Sequence, residues 1–116
     1  MLKILGKRSS INVRKVLWTC DEVGLTYQQE DYGSGFQPVD TAEFRALNPN
    51  GLVPVLLDDD FVLWESNSIC RYLTRKTGRE DLLPVTPQGA ADVERWMDWQ
   101  ATEFNNAWRY AFMGLV

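Results

Sequence analysis

Two hydrophobic periods alternate along the chain, and together they predict its elements. Leu2 to Leu5 is a short strand candidate ended by Gly6. Val13, Val16, Leu17, Cys20 and Val23 recur at helical spacing, and Gly24 follows as a stop. Thr26 to Tyr32 is polar but β-prone, which suits a strand near a sheet edge. Gly33-Ser34-Gly35 opens a loop that runs through Pro38. Thr41 to Leu47 fits a short helix stopped by Asn48-Pro49. Val53 to Leu57 and Phe61 to Trp64 flank Asp58-Asp59-Asp60, a predicted hairpin turn. Ser66 to Lys76 is a predicted helix, with Ser66 as N-cap and Gly78 as its stop.

The order is β-α-β, a short helix, then β-β-α. That is an α/β class with thioredoxin-like topology, complete within about 79 residues. Leu82-Leu83-Pro84 and Pro87 read as a linker. From Gln88 to Val116 the pattern predicts one long helix, with Val93, Met97, Gln100, Phe104, Trp108, Ala111 and Leu115 in a stripe. Trp96, Trp99 and Tyr110 widen it. Glu94, Arg95, Asp98, Thr102, Asn105, Asn106 and Arg109 form the polar face. So broad an apolar face calls for cover by further helices, another subunit or both. Trp18 falls off the first helix's apolar face and is expected to pack on the 88–116 side.

Composition narrows the chemistry. Among 116 residues there are 12 basic and 16 acidic side chains, a net charge of −4, which disfavours nucleic acid as a partner. No segment approaches the roughly 20 apolar residues of a membrane span. Histidine is absent, which removes Ser-His triads and most zinc sites. Cys20 and Cys70 have no CxxC spacing and read as buried reduced thiols, consistent with a cytoplasmic setting.

The most informative stretch is Asn48-Pro49-Asn50-Gly51-Leu52-Val53-Pro54, closed by Glu65-Ser66. Proline lacks the N–H a sheet ladder needs, so Val53-Pro54 at the mouth of an apolar run marks backbone reserved for a ligand, or else the start of an edge strand. This spacing resembles the glutathione-binding half of glutathione S-transferases. The resemblance covers essentially the whole chain: a thioredoxin-like domain at 1–79, then a linker and the first helix of an all-helical domain at 80–116. It implies either a fragment or a truncated relative completed by association.

The resemblance also implies a site. Val53 precedes a cis Pro54 and pairs its main chain with the cysteinyl unit of glutathione. Ser66 and the N–H behind it take the γ-glutamyl carboxylate at a helix N-terminus, while Glu65 meets the ammonium. In the loop Gly6 to Asn12, the pattern Ser-x-Asn-x-x-Lys-Val resembles bacterial serine-type members, which gives Ser10 the catalytic hydroxyl. Ser9 is its nearest rival and Asn12 a second donor; any of the three could instead cap the helix. The chemistry asks for a donor aimed at the glutathione sulfur. A thiol with pKa of about 8.5 is lowered by about two units at a cost of about 2.7 kcal/mol, within reach of a hydrogen bond to a charged group at about 1.5–3 kcal/mol. For the glycyl carboxylate, family members use a basic or amide side chain before the second helix. Tyr32 to Glu43 holds no Lys, Arg or His, which leaves Gln37. Lys7, Arg8, Arg14 and Lys15 make a basic cluster, read either as a solvated helix start or as an attractor for anionic glutathione.

The implied activity is conjugation of the glutathione thiolate to an electrophilic small molecule, a detoxification reaction, with glutathione as co-substrate, no metal, and a homodimer as the assembly. Two alternatives remain: a glutathione-dependent disulfide reductase or peroxidase, and a non-catalytic transferase-like interaction module.

Overall fold

A computed structural model describes residues 1–104. The chain divides into two units, Met1–Thr77 and Gly78–Val116. The first holds a four-stranded sheet in the order β2-β1-β3-β4. Its strands are β1 (Leu2–Leu5), β2 (Tyr27–Glu30), β3 (Val55–Asp58) and β4 (Phe61–Trp64). β1 runs parallel to β2 and antiparallel to β3, and β3 is antiparallel to β4. The parallel pair needs a crossover, which α1 (Ile11–Val23) supplies; the antiparallel pair needs only the turn at Asp59-Asp60. Polar Tyr27–Glu30 lies at the edge, as its composition predicts.

The strand period of two divides the core. Leu5 and Val55 face one side, where Phe44 of α2 (Ala42–Leu47) closes a cluster with Tyr32, Val39, Leu47, Val53 and Leu57. Ile4 and Leu56 alternate to the other side. There α1 and α3 (Ser66–Lys76) supply Val13, Val16, Cys20, Ile69 and Leu73, all fully buried. α2 is a single capped turn or so; Thr41 accepts the Phe44 N–H at 3.1 Å.

Three expectations need correction. β3 starts at Val55, so Val53 and Pro54 stand outside the ladder; the proline cannot extend it. The N-cap of α3 is Glu65, and Ser66 is the first helical residue. Trp18, expected to be covered, is 71% exposed among the described residues.

In the second unit, α4 (Pro87–Trp99) begins at a Thr86 cap with proline in its first turn. The helix expected from Gln88 onward is interrupted: Gln100–Phe104 forms a π-helical turn. Trp96 meets Trp99 edge-on and Trp99 meets Phe104 at a tilt, with ring centroids 5.8 and 5.4 Å apart, and all three are exposed. The rest of the predicted stripe, including Trp108, Tyr110, Ala111 and Leu115, lies outside the described residues.

Candidate functional site

The strand register gathers most of the predicted site at one end of the sheet. Leu5 pairs with both Glu30 and Val55, and Val55 pairs with Trp64. The next residue off each strand is therefore Gly6, Asp31, Pro54 or Glu65. Residues up to 59 positions apart in sequence leave the sheet along one edge.

At that edge the first loop and the proline loop touch. Gly6 donates to the Glu30 carbonyl at 2.8 Å, and its own carbonyl accepts from Gln29 Nε2 at 2.7 Å. A β-carbon on Gly6 would stand 2.4 Å from Val13 Cγ2 and 3.1 Å from Val53 Cβ. Only a glycine lets β1 pass this closely into α1. Ser10 follows as the N-cap residue of α1, half-buried, with no side-chain capping bond. Its main chain is used, donating to Lys7 O at 3.1 Å and accepting from Arg14 N at 2.9 Å, but the hydroxyl is uncommitted among the described residues. Ser9 is exposed. Asn12, the second residue of α1, buries its Oδ1 with no hydrogen-bond partner.

The Val53–Pro54 peptide is cis. The turn before it is held by Asn48, a buried side chain whose Nδ2 donates to Leu52 O at 2.9 Å while its Oδ1 accepts from Asn50 N at 3.0 Å. Arg45 braces the same turn, donating to Pro49 O at 3.1 Å and lying against Gly51. That role accounts for the first cation after the 32–43 stretch. None of the main-chain hydrogen bonds among the described residues engages Val53.

Glu65 enters α3 with φ 82° and ψ 108°, a conformation rare for a residue with a side chain, and makes no capping bond. The first N–H groups of α3 thus keep no side-chain cap from this residue. Ser66 and Asn67 behind it are buried. The basic cluster separates in space. Arg8 and Arg14 are exposed. Lys7 lays its stem over Gly33 and donates to Ser34 O at 3.3 Å. Lys15 turns between the helices and donates to Asn67 Oδ1 at 2.7 Å. Burial holds the Lys15 ammonium below its ordinary pKa, offset only in part by the Glu65 carboxylate.

Gln37 lines a different feature, a cavity of about 340 Å³ shared with Tyr32, Pro38, Thr41, Glu43, Phe44 and Leu47. None of the other candidates lines it. The thiols are both buried and free. Burial pushes Cys20 up to about 11 and raises Cys70 as well, so both stay protonated at neutral pH. Among the described residues no cluster of three or more His, Cys, Asp or Glu is placed to hold a metal ion, and no helix is long and apolar enough to cross a membrane.

Residues 9–76 match the family model described as the glutathione S-transferase N-terminal domain. The chain belongs to the glutathione S-transferase family. Among its relatives, the glutathione S-transferase GstB of Escherichia coli K12 is 46% identical over 118 residues, covering 100% of this chain and 57% of that protein. Glutathione S-transferase 3 of Zea mays is 38% identical, covering 99% of this chain and 53% of that protein. The theta class glutathione S-transferase of Xanthomonas axonopodis pv. citri, solved with glutathione bound, superimposes with a TM-score of 0.88 at 45% identity, over 93% of this chain and 52% of that one. The chain thus spans about half the length of the transferases it matches. Its match to the transferase N-terminal domain contains every site candidate, from Ser9 to Ser66. Two features of this sheet end are not written in residue type: the positive φ of Glu65, and the inward turn of Lys15. The spacing of Lys15 four residues before Thr19, on the side of α1 that meets α3, is the only signal for the second.

Proposed function

We propose that the protein is a glutathione transferase whose first domain binds glutathione at the sheet end just described. One observation carries this reading: three polar groups with spare hydrogen-bonding capacity leave the same sheet edge. They are the Val53 main chain, the first turn of α3 behind Glu65, and the Ser10 hydroxyl. Their roles follow from chemistry. Val53 pairs with the cysteinyl backbone as an added strand, beside Pro54. The α3 N-terminus with Ser66 takes the γ-glutamyl carboxylate, and Glu65 the ammonium. Gln37 remains the candidate for the glycyl carboxylate.

Catalysis needs the thiol as thiolate. The Ser10 hydroxyl donates to the sulfur, and the α1 N-terminus adds about 0.3–1 kcal/mol to a charge-assisted hydrogen bond of about 1.5–3 kcal/mol. Their sum approaches what a drop of about two pKa units requires. The thiolate then forms a C–S bond to an electrophilic carbon held nearby as that carbon's leaving group departs with its bonding electrons, the thiol proton having passed to solvent. Ser9 and Asn12 are the alternative donors. The reaction uses glutathione as co-substrate and no metal, and serves detoxification in the cytoplasm.

The assembly is a homodimer. α4 and its π-helical turn carry Asp92, Glu94, Asp98 and Glu103 against Arg95 alone, beside the exposed Trp96, Trp99 and Phe104. A groove of about 600 Å³ along β4 and α3 offers Phe61, Leu63 and Tyr72 with Arg71, Arg75 and Lys76. This groove is the candidate seat for that helix of a second copy.

A glutathione-dependent disulfide reductase is the second reading. It would have to draw both sulfurs from glutathione, because the first loop carries no cysteine and Cys20 and Cys70 are buried and protonated. The test is calorimetric titration with glutathione, followed by parallel assays of chloro-nitroaromatic conjugation and disulfide reduction. Binding with conjugation supports the transferase. Binding with disulfide reduction alone favours the second reading, and no binding leaves only an interaction module.

A further inference from the structure

Lys15 places its charge where helix electrostatics disfavour it. Asn67 is the second residue of α3, so the 2.7 Å bond to Asn67 Oδ1 holds the ammonium beside the N-terminal end of that helix. This end already carries partial positive charge, and a cation there is normally unfavourable. A lysine has four methylenes with which to reach water, yet this one turns inward and is half-buried. Its desolvation is a further cost, offset in part by the Glu65 carboxylate. Positive potential built up at one point, against these costs, is useful when an anion docks there.

We propose that Lys15 is a positioning residue for the amino-acid head of glutathione, acting through Asn67 and Glu65 on the first turn of α3. The inference rests on the proposed reading that Glu65 and Ser66 receive that head. The head is a zwitterion. Glu65 faces its ammonium, and the α3 N–H groups face its carboxylate. Before glutathione docks, Lys15 balances Glu65, so the incoming carboxylate is not repelled. Through Asn67 it also ties the first turn of α3 to α1, the helix whose start carries Ser10. The sulfur sits at the Ser10 end, away from this lock, so Lys15 governs affinity and leaves thiol activation alone.

Three substitutions separate charge from packing. Lys15→Met keeps the stem and loses the charge. Lys15→Gln also loses the charge but keeps a donor for Asn67, and remains informative should the methionine variant fold poorly. Lys15→Arg keeps the charge. Glutathione affinity is measured by calorimetry on the whole chain, and the pKa of the bound thiol from thiolate absorbance. Lys15→Met and Lys15→Gln are expected to weaken glutathione about tenfold, with the bound-thiol pKa unmoved, and Lys15→Arg to recover most of the loss. Unchanged affinity in Lys15→Gln overturns the proposal. So does a loss accompanied by a shifted thiol pKa and no recovery by arginine, which marks a merely structural lysine. The underlying reading is tested separately by Glu65→Gln: if that variant binds glutathione as the parent does, the head lies elsewhere and the Lys15 role falls with it.

Discussion

Gly6 and Val53 press together at the end of the sheet, with room for a hydrogen on Gly6 and nothing larger. A methyl group there would meet Val53 Cβ at 3.1 Å and Val13 Cγ2 at 2.4 Å, at a φ of +151°. The first loop and the proline loop are therefore one packed unit. Gly6→Ala should destabilise the protein by about 1–3 kcal/mol, as overpacking at a rigid backbone contact does. Adding Val13→Ala removes the closer clash and should recover part of the loss. Urea denaturation of the single and double variants checks both statements; additive losses would show that the contact is not shared.

Ser10 occupies a capping position without performing a cap. A capping serine replaced by alanine typically costs about 1 kcal/mol. Here the hydroxyl makes no capping bond, so Ser10→Ala should cost less than about 0.5 kcal/mol in the same denaturation. The same variant should raise the pKa of bound glutathione by one unit or more, on the order of the hydrogen bond removed. Ser9→Ala is the control. If it moves the thiol and Ser10→Ala does not, the neighbour holds the role.

Glu65 sets conformation against function. At φ 82° an alanine carries the same backbone strain as the glutamate, whereas a glycine does not. Glu65→Gly should therefore be more stable than Glu65→Ala, by about 1 kcal/mol. Both should bind glutathione more weakly than the parent, by about tenfold or more, since both lack the carboxylate proposed to meet its ammonium. Thermal melts and calorimetry read the two effects independently.

These cases show why the sequence discloses some features and withholds others. The α1 helix is legible because Val13, Val16, Leu17 and Cys20 repeat at the helical period and are buried; α3 is legible from its stop, Gly78, which stands just past the helix at φ 67°. The hairpin is legible because three aspartates interrupt two apolar runs. The N-cap of α3 is not, because capping preferences reward a serine and say nothing of the strained acid before it. The strand start at Val55 is withheld because Val53 is as β-prone as its neighbours; only the proline between them breaks the ladder. Lys15 reads as a surface charge because residue type gives no direction to a long side chain. The π-helical turn at Gln100 leaves the periodicity of α4 almost intact over so short a span.

Away from the site, Asp58 joins β3 to α3. Its Oδ2 accepts from Lys76 Nζ at 2.9 Å and from the Tyr72 hydroxyl at 2.5 Å. These bonds hold the Asp58 carboxyl below its ordinary pKa. The unfolded chain binds this proton more readily than the folded one. The contribution is thus complete above the ordinary carboxylate pKa of about 4 and fades as pH falls through the lower folded value. Asp58→Asn should cost about 1 kcal/mol at neutral pH. In acid its stability should converge with that of the parent. Denaturation curves at both ends of the range check this; a difference that persists in acid would mean the carboxylate charge is not what matters.

The opposite end of the sheet has its own use. Leu2 pairs with Asp58, and the Met1 ammonium reaches Asp59 Oδ1 at 2.8 Å beside the hairpin turn. The amino terminus and the 59–60 turn therefore sit a full strand length from Gly6, Pro54 and Glu65. Affinity handles, dyes or surface tethers attached at either point would stay clear of the proposed glutathione site, so an immobilised protein could report ligand capture without its own linker competing there.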